Sequence, residues 1–263
     1  MQTRESTGTA SEPAVLTLED GGILTIRLNR PNDRNAVNAA LAAGVSAALD
    51  RLDDDPGLRV GVLTGNGVGF SAGMDLKALL RNESPMTHRG FGGIVRKPPR
   101  KPLIAAVEGF ALAGGLEIAM SCDLIVAARG AKMGVPEVKR GLVAAAGGLM
   151  RLPRRIPYHA AMYLAITGAF FTAERAYELG LVSELCEPGK AYESALALAQ
   201  VVTRNAPLAV QASKEIVRDA LDLDEAGGWE LQDRVAHEPL HSEDAKEGAR
   251  AFVEKREPVW QGR

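Results

Sequence analysis

The sequence predicts an α/β fold followed by a helical C-terminal region, on three observations. Apolar, β-branched runs closed by small or turn residues recur in the first half of the chain, as "RVGVLTG", "KPLIAAVEG" and "DLIVAAR". Runs of this kind read as strands buried on both faces. Stretches of helical periodicity lie between them, which is the alternation of an α/β architecture. From about Gly147 onward the strand signal largely disappears and one helical pattern follows another.

Taken in order, the first thirteen residues, "MQTRESTGTASEP", are polar and small, and residues 1–13 are expected to form a disordered tail. They contain no apolar stretch of the kind that marks a secretory signal. "AVLTLED" and "ILTIRLNR" alternate apolar and polar residues around Asp20, Gly21 and Gly22, a hairpin pattern. "NAALAAGVSAALDRLDDD" has apolar residues at helical spacing. The three buried strands follow, interrupted by "NESPMTHRGFGGIVRKPPRK", which is loop-like and basic. Helices are predicted in "YHAAMYLAITG", "TAERAYELG", "AYESALALAQVVTRN", "PLAVQASKEIVRDALD" and "DAKEGARAFVEKR". The α/β core is expected to span residues 14–200 and the helical region residues 201–263.

A chain of 263 residues holds one large domain or two small ones. At 46% hydrophobic residues it has an ordinary globular composition, and a core of this size needs no disulfide or metal staple. Lys and Arg total 31 against 33 Asp and Glu. That balance gives no reason to expect nucleic acid or an anionic membrane as partner. Cys122 and Cys186 are far apart and in no CxxC arrangement, which argues against a disulfide framework or cysteine zinc site and fits a reducing cytoplasm. No uncharged window is long enough for a membrane span.

"ALAGGLEIAM", residues 111–120, places two glycines and a carboxylate inside an apolar run. Gly114 and Gly115 suit a tight strand-to-helix turn. The first N–H groups of a helix are unpaired and sit at the positive end of its dipole. Gly114 N–H is therefore a candidate donor of an oxyanion hole, with Glu117 in the same first turn. "GFSAGMDLK", residues 69–77, repeats the layout of strand, glycine turn and helix start. It offers Met74 N–H as a second donor and Asp75 as a helix cap. "GVPEVKRG" adds a second carboxylate, Glu137, twenty residues beyond Glu117.

Two other motifs suggest rival readings. "HEPLH", residues 237–241, matches the letter of a zinc-protease pattern. Pro239 is expected to break the continuous helix which that motif needs, leaving a helix end with exposed histidines. "GNGVGF" lacks the third glycine of a dinucleotide loop, and no GxSxG esterase elbow is present.

Together, "LNRPNDRNAVN", "GFSAGMDL", "KPLIAAVEGFALAGGLEIAMSCDLIVAA", "MGVPEVKRGL", "GGLMRLPR", "TAERAYELGLVSEL" and "DAKEGARAFVEKR" resemble the enoyl-CoA hydratase/isomerase (crotonase) superfamily. The resemblance runs from about Ala14 to the C-terminus. It implies a crotonase-like spiral of ββα repeats, with a helical C-terminal region used in trimerisation and often a dimer of trimers. The implied substrate is an acyl-CoA thioester. Its carbonyl oxygen would be held by the N–H groups of Met74 and Gly114, each worth roughly 3–4 kcal/mol as enolate charge develops.

Having both Glu117 and Glu137 implies reversible addition of water to a 2-enoyl-CoA, with Glu117 as base toward water and Glu137 delivering a proton to the α-carbon. Two such carboxyl groups are expected to have pKa values pushed apart. The resemblance further assigns Arg34, Ala36, Ala72, Asp75, Leu76, Lys77, Phe252 and Lys255 to CoA or substrate binding. It implies no cofactor beyond the substrate's own coenzyme A, and no metal. The rival activities are a 3,2-enoyl-CoA isomerase, a carnitinyl- or 3-hydroxyacyl-CoA dehydratase, and a non-catalytic acyl-CoA scaffold. The chain departs from the common family pattern at Ala113, Met133, Ala144, Ala145 and Leu149, which point to a different acyl group.

Overall fold

The computed structural model describes residues 12–263. The expected N-terminal tail therefore lies almost wholly outside the described residues. The strands are β1 (Val15–Asp20), β2 (Ile23–Leu28), β3 (Val60–Gly65), β4 (Met86–Thr87), β5 (Gly90–Phe91), β6 (Leu103–Val107), β7 (Phe110–Leu112), β8 (Leu124–Ala128), β9 (Lys132–Gly134), β10 (Phe170–Thr172) and β11 (Glu184–Cys186). The helices are α1 (Ala39–Asp54), α2 (Leu76–Leu80), α3 (Gly114–Ala119), α4 (Gly148–Arg155), α5 (Tyr158–Thr167), α6 (Ala173–Glu178), α7 (Ala191–Thr203), α8 (Pro207–Asp219), α9 (Glu225–His241) and α10 (Glu243–Glu254).

The main sheet has the order β1-β2-β3-β6-β8-β11. Only the β1–β2 pair is antiparallel, joined by Gly21 and Gly22, whose positive φ values suit the tight hairpin turn. The strands from β2 to β11 run parallel. A smaller sheet, β10-β9-β7, lies beside it. Strands β6 and β8 are neighbours in the large sheet, while β7 and β9 are neighbours in the small one. Each β–β–helix unit thus advances one place in both sheets. Two isolated parallel bridges, Ser71 with Ala111 and Val37 with Met74, extend the same ladder to the segments after β3 and β2. The chain climbs as a spiral, and successive turns bring equivalent positions side by side.

Packing follows the two-residue period of the strands. Leu24, Ile26, Leu63, Leu103 and Ala105 face α1, which supplies Leu41, Val45, Leu49 and Leu52. Val60, Val62, Ile104, Ala106 and Val126 point the other way, onto Ala191, Ala195 and Ala199 of α7. Alanine on that helix face lets it approach the sheet closely. Gly61 serves the same end on the α1 side, since a Cβ there would lie 2.7 Å from Leu103 and 2.9 Å from Leu52.

The basic loop expected between β3 and β6 is more built than its composition implied. It contains the β4–β5 hairpin and a fully buried Arg89. The Arg89 guanidinium donates to Asp50 at 2.8 Å, to Asp53 at 2.9 Å and to the Lys97 carbonyl at 2.8 Å. Strands also persist past Gly147, where few were expected: β10 joins the small sheet and β11 completes the large one. In the C-terminal region, α9 continues through Pro239 to His241, so the expected break does not occur. Pro239 lies in the last turn. His237 and His241 consequently share a face, stacked with ring centroids 4.5 Å apart, and both are exposed. Among the described residues, no group of three or more His, Cys, Asp or Glu is arranged to hold a metal ion. No helix among them is long and apolar enough to cross a membrane.

Candidate active site

The spiral brings the two glycine motifs into contact. Ser71 anchors the 69–77 segment, its hydroxyl donating to the Asn35 carbonyl at 2.8 Å and accepting from Gly73 N–H at 3.1 Å. Gly115 packs so tightly on this segment that a Cβ would lie 2.3 Å from the Ser71 carbonyl oxygen. Gly73 has φ +91°, and a Cβ there would lie 2.9 Å from Gly114 N. Gly73 and Gly115 are thus fixed by close approach, and Met74 and Gly114 become neighbours. Among the described residues, neither Met74 N–H nor Gly114 N–H donates to a protein acceptor. Both residues line one cleft of about 680 Å³.

Backbone geometry at the entry to α3 is unusual. Ala113, its N-cap, has φ 51° and ψ −130°, a conformation normally reserved for glycine. Its N–H donates to the Gly134 carbonyl at 2.8 Å, tying the turn to β9. The chain holds an alanine there because the turn is fastened on both sides, to β9 and to the 69–77 segment.

Glu117 lies in the first turn of α3 and is almost wholly buried. Its Oε1 accepts 2.8 Å hydrogen bonds from Ala146 N–H and Gly148 N–H. Gly148 can approach only because it lacks a side chain: a Cβ would sit 3.0 Å from Oε1 and 3.1 Å from Cγ. Burial pushes the Glu117 carboxyl up to about 7, with the Glu137 charge adding to the rise. The two amide donors and the Arg151 guanidinium oppose it. Arg151 is held by the Val95 and Ala146 carbonyls.

Glu137 sits in a 3-10 turn, Pro136–Arg140, that follows β9 as α3 follows β7. It lines the same cleft as Glu117. Burial raises its pKa as well. Its Oε2 is buried without a hydrogen-bond partner among the described residues, an environment that favours a neutral, protonated oxygen.

Of the other residues singled out from the sequence, Arg34, Ala72 and Leu76 line the cleft. Asp75 is buried at the N-terminus of α2, where its Oδ1 accepts from Lys77 and Ala78 N–H and its Oδ2 pairs with Arg30 at 3.0 Å. Ala36 accepts from the same Arg30 through its carbonyl. Ala36, Lys77, Phe252 and Lys255 do not line the cleft, and Phe252 is exposed at the end of α10. Sequence reasoning did not single out the amides of Ala146 and Gly148 or Arg151. The adjacent glycines of "AAAGGLMR" were their visible signal. Arg96 and Arg140 also line the cleft and add positive charge to it.

The enoyl-CoA hydratase/isomerase family model matches residues 19–263. A crystal structure of enoyl-CoA hydratase from Mycobacterium tuberculosis H37Rv is 53% identical, with a TM-score of 0.94 over 96% of this chain and 100% of that one. A crystal structure of carnitinyl-CoA hydratase from Mycobacterium avium is 42% identical, with a TM-score of 0.78 over 96% of this chain and 100% of that one. Carnitinyl-CoA dehydratase of Salmonella heidelberg strain SL476 is 41% identical over 262 residues, 96% of this chain and all of that protein. A match of this extent on a spiral ββα core carries one conclusion: the chain belongs to the enoyl-CoA hydratase/isomerase family, the crotonase superfamily.

Proposed function

We propose that the protein is a hydro-lyase that adds water reversibly to a 2-enoyl-CoA thioester, with Glu117 and Glu137 as its acid–base pair. The observation that carries this reading is the meeting of one buried and one half-buried carboxyl group with two undonated backbone N–H groups in one cleft. A binding scaffold has no use for two carboxyl groups held against burial, and an isomerase needs only one to move a proton.

The thioester carbonyl accepts hydrogen bonds from Met74 N–H and Gly114 N–H. Conjugation carries that polarisation to the β-carbon. A water molecule held by both carboxyl groups gives a proton to Glu117 as its oxygen adds to the β-carbon. The electron pair of the double bond moves toward the thioester oxygen, where the two N–H groups stabilise the enolate charge without reorganising. Glu137 then delivers its proton to the α-carbon. Fixing Glu117 Oε1 on two amides suits a carboxylate, and the unpartnered Glu137 Oε2 suits an acid.

Positive charge from Arg34, Arg96 and Arg140 at the cleft matches the phosphates of coenzyme A. Ala72 and Leu76 complete the edge along which pantetheine would lie. Asp75 supports that edge as a helix cap rather than touching the ligand. Lys77, Phe252 and Lys255 are exposed and would contact CoA only beyond this chain's own cleft. A homotrimer or dimer of trimers fits the apolar surface left on the C-terminal helices, including Trp229, Leu240 and Phe252. The composition fits residence in the cytoplasm.

The test is product identity. Incubation with a 2-enoyl-CoA is expected to give the 3-hydroxyacyl thioester, and a 3-enoyl-CoA is expected to remain unisomerised. Isomerisation without hydration would assign the site to the other branch of the family.

A further inference from the structure

A second cavity opens behind Glu137. It has a volume of about 550 Å³, in the range of small-molecule sites, and it shares Glu137 and Val143 with the catalytic cleft. Its remaining wall is aliphatic or aromatic, drawn from the 3-10 turn, α4 and α5, and includes Leu149, Leu152, Ala161, Ala165 and Ile166. Glu137 is the only ionisable carboxylate in that wall.

We propose, resting on the hydratase reading, that this cavity receives the far end of the acyl group, so that the preferred substrates are 2-enoyl-CoA thioesters with an uncharged apolar tail of about six carbons or more. Two features and one magnitude support this. Glu137 and Val143 line both spaces, so a tail that turns past them from the reacting carbons reaches the apolar one. Each methylene buried there adds up to about 0.8 kcal/mol, roughly a fourfold gain. The surroundings also oppose a cationic tail. Arg34, Arg96 and Arg140 line the cleft, and Glu117 and Glu137 are committed to the proton chemistry.

A quaternary ammonium group is ordinarily held against the faces of several aromatic rings. Here the Phe170 ring already carries the Lys132 ammonium 3.8 Å from its centroid and the Lys139 ammonium at 5.1 Å. Tyr158 is the one aromatic ring in the wall of the second cavity. The chain therefore fits a neutral hydrocarbon and not a trimethylammonium group.

The experiment measures kcat/KM for straight-chain 2-enoyl-CoA thioesters of four, six, eight and ten carbons. It adds a matched pair, 4-trimethylammonio-2-butenoyl-CoA and its uncharged carbon isostere 5,5-dimethyl-2-hexenoyl-CoA. The same set is run with Ala165→Leu, a half-exposed helix position that lines only the second cavity. Expected is a rise of about tenfold or more from four to eight carbons, and a preference of about a hundredfold for the isostere over the cation. Ala165→Leu is expected to remove most of the chain-length gain, while its activity on the four-carbon thioester, within about twofold of wild type, reports that it folds.

A flat chain-length profile, a gain unaffected by Ala165→Leu, or equal rates on the matched pair would overturn the proposal. Binding of the saturated acyl-CoA series is measured in parallel. If nothing is hydrated but affinity still rises with chain length and falls in Ala165→Leu, the tail site stands and the hydratase reading fails. If affinity is independent of length, the tail site fails whatever the reaction.

Discussion

In the proposed hydration two carboxyl groups share the chemistry, and their environments differ in kind. Glu117 is the more deeply buried and carries the compensating donors, Ala146 N–H and Gly148 N–H. Glu137 is half-buried and has an oxygen with no described partner. Both pKa values are raised, chiefly by burial, and each charge makes the other harder to form, so the protons leave the pair in two steps.

Hydration needs one proton in the pair. The active form is therefore lost at high pH as the last proton leaves, and at low pH as a second proton binds. The profile of kcat/KM against pH is expected to be bell-shaped, with both limbs above the ordinary glutamate value of 4.5 and each belonging to the pair rather than to one residue. A plateau extending well past the neutral range would contradict a shared proton. Glu117 was conspicuous in the sequence, as a carboxylate beside a glycine turn in an apolar run, whereas Glu137 gained its proposed role only through the family resemblance. The amides that hold Glu117 were not, because any residue offers an N–H and only the fold aims it.

At the scale of elements, the glycine-rich turns act by closeness. Gly73, Gly115 and Gly148 each stand where a side chain would collide with backbone or with Glu117 itself. Ala113 is the exception, a Cβ-bearing residue in a glycine conformation at the cap of α3. Relieving that conformation with Ala113→Gly is expected to raise stability by about 1 kcal/mol, read as a shift of the denaturant midpoint at unchanged slope. A loss of stability would show that the Ala113 methyl contributes more by packing than its backbone costs.

Long, fully apolar strands such as Val60–Gly65 and Leu103–Val107 were legible as strands, and the hairpin was legible from its glycines. Strands β7, β9, β10 and β11 are three residues each, too short to show alternation, and exist because neighbours supply their hydrogen bonds. Pro239 misled because of its place: it lies in the last turn, where α9 has only two residues left to carry past the lost hydrogen bond.

For the whole molecule, the spiral explains why site residues far apart in sequence meet. Met74, Gly114 and Glu137 follow the second strand position of successive repeats, and lateral pairing between repeats stacks them into one cleft. That arrangement was reachable only through family resemblance, because no composition or periodicity encodes a spiral. The C-terminal helices leave Trp229, Leu240 and Phe252 exposed, more apolar surface than an isolated chain gains from. Light scattering on purified protein is expected to give the mass of three or six chains, and a monomer at micromolar concentration would contradict the proposed assembly.

In the proposed hydration one water molecule is handled by both carboxyl groups. The most direct test is steady-state hydration of a 2-enoyl-CoA by wild type, Glu117→Gln and Glu137→Gln. Glutamine keeps the shape and the hydrogen-bond acceptor of each side chain but cannot exchange the proton. Each variant is expected to lose about 10²–10⁴ in kcat with KM little changed, the scale of a lost general acid or base. If either variant keeps near-wild-type kcat, that carboxyl is a bystander and the two-glutamate mechanism is wrong.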